Sequence, residues 1–245
     1  MPRSGSRVRF AAAAAALFLS CAGPAFADPS VYAGIQGMLL TGTHTDIAGT
    51  QHGAAIGAIV QAGVREKRFS LRLEGIPPVS LPQKPSAYYG AATPQISLLN
   101  GALRYAADRN EYFSIGLGET IINQRTPLPN LSQVVSSRLA GLRIEAAYRH
   151  AYSPVHFWEA TVGAAPHLSG SDHYAYSIDQ PAVDKPEAAA EEDFAISWGV
   201  ERANAEWLVG LRSIDFSARY VLTGEAGDRN NGGGAIVEYR AFLDK

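Results

Sequence analysis

The sequence predicts an all-β fold: an antiparallel up-and-down transmembrane β-barrel of about ten strands, with short turns at one end and long loops at the other. Three observations predict it. Apolar and polar residues alternate with period two through most of the chain, as in "FSLRLEG" over Phe69–Gly75. The connections fall into two alternating length classes. Aromatic residues gather beside the short connections.

The strands follow in order. "VYAGIQGMLL" (Val31–Leu40) opens the set and "GAIVEYRAFL" (Gly234–Leu243) closes it. Between them lie four hairpins, each with two alternating runs around a short polar turn: Gly57–Gly75, Leu98–Gly118, Leu139–Ala164 and Phe194–Leu211. Two outer strands plus eight give ten. The parity slips in the last hairpin. Trp207, Val209 and Leu211 share one face, then Ile214, Phe216, Ala218 and Tyr220 do, which predicts a bulge near Arg212 and Ser213. The long connections are expected over Thr41–Gln51, Ile76–Pro94, Ile122–Ser132, His167–Asp193 and Thr223–Gly233; they are rich in Gly, Pro, Asn and Asp. Within the fourth, "AVDKPEAAAEED" is expected as a short acidic helix or a mobile segment.

Residues 1–27 read as a secretory signal. Arg3, Arg7 and Arg9 form its positive end, Phe10–Ser20 its apolar stretch, and "AFA" before Asp28 its cleavage site. "FLSC" makes Cys21 an alternative point of lipidation. The barrel domain is then residues 28–245, or 245 − 27 = 218 residues with 18 basic and 23 acidic groups, a net charge of −5 that argues against nucleic acid as a partner. Cys21 is the sole cysteine, so no disulfide is expected in the exported chain.

In a membrane barrel Phe69, Leu71 and Leu73 face lipid, and the alternate residues face inward. That parity predicts a lumen lined by Arg72, Glu74, Arg104, Arg143, Glu145, Arg149, Glu201, Asp215, Arg219, Glu238 and Arg240. Mixed charges in a narrow barrel pair across it, so a plugged lumen and a structural or surface-binding role are expected. The alternatives are a narrow porin-like pore for small polar solutes and a soluble periplasmic ligand-binding barrel with the faces reversed. Phe69, Tyr105, Tyr112, Phe113, Tyr148, Phe157, Trp158 and Trp207 are expected to form an aromatic belt at one membrane interface.

Two loop clusters invite chemistry. His44, Asp46 and His52 lie together in "THTDIAGTQH", and His167, Ser169, Asp172 and His173 in "HLSGSDH". Neither matches a known metal-ligand spacing, and no metal or cofactor is expected. The His167–Ser169 pair is similar to the His-x-Ser motif of outer-membrane lipid A deacylases of the PagL type. That resemblance implies a base and a nucleophile, with Asp172 or Glu159 as orienter, and a lipid A-modifying hydrolase as a further alternative. In that family Asn follows the motif, where Gly170 stands here. Ten strands also resemble the omptin proteases, which use Asp and His pairs at the barrel mouth.

From its general grammar the chain resembles a small bacterial outer-membrane β-barrel protein. The resemblance implies export to that membrane, the lipid bilayer and the barrel-insertion machinery as partners, and an unspecified extracellular ligand. It implies a terminal aromatic residue; here Phe242 precedes Leu243, Asp244 and Lys245.

Overall fold

The computed structural model describes residues 30–46, 49–66, 68–80, 95–107, 113–128, 133–174, 182–184, 186–220 and 228–243. The expected signal, including Cys21, lies outside them, as does Tyr112. The described chain is all strand: β1 (Ser30–Asp46), β2 (Gly49–Glu66), β3 (Phe69–Ser80), β4 (Gln95–Ala106), β5 (Phe113–Leu128), β6 (Gln133–Ala151), β7 (His156–Ala165), β8 (Ser169–Tyr174), β9 (Ala182–Asp184), β10 (Pro186–Arg202), β11 (Ala205–Tyr220) and β12 (Asp228–Phe242).

Each strand pairs antiparallel with its neighbours, β1 pairs β12, and β5–β6 completes the ring. Twelve segments make ten staves. β8 continues β7, and β9 runs into β10: the register from Ala165↔Glu191 to Asp172↔Asp184 advances equally on both sides, 165 to 172 against 191 to 184. On the β6 side, Ile144↔Ala164 is followed by Ala140↔Ser169, so four steps face five. The extra residue is a bulge around Pro166–Leu168, where proline has no N–H to give the ladder.

Several connections expected as loops are strand. β1 and β2 pair up to Asp46↔Gly49, through the segment read as Thr41–Gln51. β5 and β6 pair to Leu128↔Gln133, and β12 begins at Asp228. Within "AVDKPEAAAEED", the expected helix is replaced by β9 and the start of β10. Strands of 15–19 residues in β1, β2, β5, β6 and β10–β12 exceed the roughly 9–11 needed to cross a bilayer. The staves are therefore longer than a bilayer crossing requires.

The expected bulge at Arg212 and Ser213 is absent. Pairing is unbroken from Ala188↔Arg219 to Arg202↔Ala205 on one side of β11 and from Ala205↔Ala241 to Ala218↔Asp228 on the other. What changes along β11 is the solvent. Near the short turns Trp207, Val209 and Leu211 point outward and are 55–57% exposed, while Glu206 and Arg212 are buried inside. Farther up, Phe216 and Ala218 are buried inside while Ser213 and Ser217 face out. The backbone keeps its parity, and the hydrophobic pattern on its two faces reverses along the strand.

Other staves do the same. Leu117 points out and Ile122 in; Leu142 and Ile144 point out and Leu139 in; Phe194 points out and Ala189 in. Exposed Asn123, Arg138 and Glu192 mark the polar outer wall above the band. The interior has two storeys. Next to the short turns it is charged. Toward the far end it is an apolar cap of Leu98, Ile122, Leu139, Ala165, Leu168, Ala189, Phe216 and Ala218, with Met38, Ile59 and Ile236 beside it.

Aromatic rings line the outside near the short turns. Register partners Phe69 and Tyr105 meet as tilted rings with centroids 5.2 Å apart, and partners Trp207 and Tyr239 likewise at 4.7 Å. Tyr148 and Trp158 lie 5.1 Å apart, and Phe113 is exposed. Phe157 departs from the expected belt: it is buried inside the barrel. Adjacent strand residues point opposite ways, so Phe157 and Trp158 cannot both face lipid. The β10–β11 turn is tight, with Ala203 at φ 42°, in the left-handed region that two-residue hairpins use.

Candidate functional site

The charged storey is the most organised part of the interior. Near the short turns Arg149 places its guanidinium 3.6 Å from the Phe157 ring centroid and donates to Glu206 at 2.8 Å and Glu201 at 3.2 Å. Arg240 donates to Glu159 at 3.0 Å and Glu206 at 3.2 Å, and also to Glu238. Glu238 in turn accepts from Gln36 at 3.0 Å and from Gln61.

Above this, Arg72 meets Glu74 at 2.5 Å, and Arg104 pairs with Glu145. The top layer rests on two buried arginines. Arg143 reaches Glu191 at 2.8 Å and Glu145 at 3.3 Å, and also pairs with Asp193. Arg212 meets Asp193 at 2.8 Å and Gln36 at 3.3 Å, and pairs with Glu74. Thr120 donates to Asn100 at 2.8 Å and to Glu191 at 3.4 Å. Six arginines and eight carboxylates thus form two clusters of shared ions, bridged by the Gln36 amide between Glu238 and Arg212. Arg143, Glu191 and Glu206 are 2% exposed or less.

Backbone closeness helps position it. A Cβ on Gly163 would fall inside the Arg143 guanidinium and against Asp193. Gly163→Ala should therefore cost about 1–3 kcal/mol by overpacking, while Gly37→Ala, whose nearest contact would be 3.9 Å away, should be close to neutral. Urea titration of the two variants in detergent micelles, followed by tryptophan fluorescence, checks the difference.

Of the residues expected in the lumen, Arg72, Glu74, Arg104, Arg143, Glu145, Arg149, Glu201, Glu238 and Arg240 lie in this network. Asp215 and Arg219 do not. Unbroken parity puts them on the outer wall with Ser213 and Ser217, where Asp215 accepts from Asn231 at 3.1 Å. The sequence reading missed Glu159, Glu191, Asp193, Glu206 and Arg212 as lining residues. Counting by twos from Phe194 would have found Asp193 and Glu191, and from Trp207 would have found Glu206 and Arg212.

The expected base–nucleophile pair is not assembled. His167 lies in the irregular link between β7 and β8, and the Ser169 hydroxyl donates to the Ala140 carbonyl at 3.3 Å. Glu159, one proposed orienter, is held by Arg240 and lies ten residues from Ser169 along the stave, about 30 Å at strand rise. The Asp172 side chain lies outside the described residues. In the other cluster, His52 faces Thr43 and His44 faces Gln51, so the two histidines have opposite parity along the hairpin. Among the described residues, no group of three His, Cys, Asp or Glu is arranged to hold a metal.

No family model matches the sequence, and no curated protein matches it. Among solved structures the chain is similar to the outer membrane protease OmpT of Escherichia coli, at TM-score 0.53 and 11% identity, covering 87% of this chain and 97% of that one. It is also similar to Neisserial surface protein A, at TM-score 0.37 and 9% identity over 87% and 98% of the two chains. The toluene transporter TodX of Pseudomonas putida gives TM-score 0.37 and 8% identity over 88% and 90%. The fold is that of the bacterial outer-membrane β-barrels.

Proposed function

We propose that this chain is an outer-membrane barrel with a closed lumen, which acts through its outer surface rather than by passing solutes. The short turns then face the periplasm and the tall staves stand outside the cell. The observation that carries this reading is the pair of stacked seals. A layer of ions centred on Arg143 and Arg212 crosses the interior, and an apolar cap covers it. Among the described residues the interior above the ion layer is lined by Leu98, Ile122, Leu139 and Phe216, among which desolvating an ion is costly. The role in export of residues 1–27 and insertion by the barrel-assembly machinery belong to the same proposal.

Planar bilayer recording tests it. The purified full-length protein should insert, as judged by a heat-dependent shift on gels, yet give no discrete current steps. Stable steps that scale with salt concentration would replace the closed-lumen reading with the narrow pore.

A further inference from the structure

The outer wall above the apolar band carries positive charge in one sector, and we infer that this sector binds the phosphate-bearing headgroup of a lipid in the outer leaflet. Arg125 on β5 and Arg138 on β6 are both exposed on the outside. Register sets Asn123 against Arg138 and Arg125 against Ser136. The two arginines are thus diagonal neighbours, with Cα atoms about 7–8 Å apart. Side chains of that length converge on one group lying between them. Ser97 adds a hydroxyl to the same row, where it accepts from the Asn123 amide at 3.4 Å.

The sign changes farther round the wall. On β10 and β11, Glu192 and Asp215 are outward register partners, and Asp215 accepts from Asn231. Like charges set directly opposite repel each other and any anion nearby. The wall therefore has a basic and an acidic sector above the apolar band, and an anion drawn to it settles on β5 and β6. Guanidinium forks suit phosphate, whose oxygens take two parallel hydrogen bonds from one arginine.

Three anions compete for the site. A free phosphate uses the arginines alone. An acidic protein surface also reaches them, but the wall directly below is apolar: Leu142 and Ile144 on β6, two and three outward positions under Arg138, are 62% and 52% exposed. A lipid fits both halves. Its phosphate lies between Arg125 and Arg138, and its acyl chain runs down β6 over Ala140, Leu142 and Ile144. Glu119, the register partner of Leu142, lies four residues below Asn123, about 13 Å along β5. This deepens the surface role proposed above and rests on its orientation, with the tall ends outside; conductance tests the lumen separately.

Native mass spectrometry of the full-length protein, released from nanodiscs of phosphatidylcholine with a minor share of phosphatidic acid, decides. The wild type should retain phosphatidic acid in preference to phosphatidylcholine. Arg125→Gln with Arg138→Gln should lower that retention about tenfold or more, the loss expected from charge-assisted hydrogen bonds, while keeping the heat-dependent gel shift. Arg138→Lys should lose part of it, since it keeps the charge without the fork. Arg219→Gln on β11 and Glu119→Gln should leave retention unchanged. Inorganic phosphate in excess should not release the lipid. Equal retention by the double variant overturns the inference, as does an equal loss in Arg219→Gln, which would mark general surface charge. Release by inorganic phosphate would mean an anion site with no acyl seat, and overturns it too.

Discussion

Arg143→Met should cost the barrel about 3–5 kcal/mol, the loss expected when one partner of a buried ion network is removed. Arg143 is 2% exposed and serves Glu145, Glu191 and Asp193 at once. Without it, Glu191 keeps only a hydroxyl contact with Thr120, while Asp193 keeps Arg212. Three carboxylates then repel across a narrow, buried interior. Arg143→Lys should recover only part of the loss, because an ammonium cannot present the planar fork that reaches three acids. Asp193→Asn should be harmful alone and less so, or helpful, beside Arg143→Met, since it removes one of the carboxylates that then repel Glu191. Equilibrium urea unfolding from detergent micelles measures all four. A change below about 1 kcal/mol for Arg143→Met would show that water enters the layer and screens it, as it does for surface pairs.

The second large effect is positional. Leu211→Arg should destabilise the barrel by about 2–4 kcal/mol, whereas Ser213→Arg, the next outward position on the strand, should cost no more than about 1 kcal/mol. Both side chains are on the outer face of β11, and the unbroken register with β10 and β12 rules out a turn of the backbone between them. The difference comes from the medium alone: Leu211 lies in the apolar band and Ser213 stands at its rim. The same unfolding assay in lipid vesicles reads it. Equal penalties would mean that hydrocarbon reaches past Ser213, and the boundary drawn from the pattern reversal would move up.

That reversal also explains what the sequence could and could not disclose. The staves were legible where one solvent rule holds along the run. Phe69, Leu71 and Leu73 alternate cleanly against Arg72 and Glu74, and they lie outside and inside accordingly. Ten staves and the hairpin order follow from such runs. Reading broke down at the membrane surface. On β11 the apolar set changes from odd to even residues, which looks like an inserted residue when one solvent is assumed. A single solvent rule then places Asp215 and Arg219 inward with the wrong parity and hides Arg212 behind a bulge that the register does not contain. Glu191 and Asp193 were missed because acidic, alanine-rich sequence resembles a loop or a helix, and only pairing with β7 and β11 holds it extended. Phe157 was misplaced because nearness to a turn fixes height but not face. The true bulge, at Pro166–Leu168, is visible only in the register of β6 against β7 and β8, a non-local fact.

The reversal has a mechanical corollary. An ordinary barrel can rise or sink in a bilayer until its apolar girdle meets the hydrocarbon, and a blurred girdle leaves that height loosely set. Here the wall carries a sharp waterline. Sinking by one outward position would immerse Ser213, Glu119 and Glu192; rising by one would strand Leu211, Leu117 and Phe194 in water. Both errors are penalised on several staves at once. The chain thus carries its own draught mark, written into several staves at once.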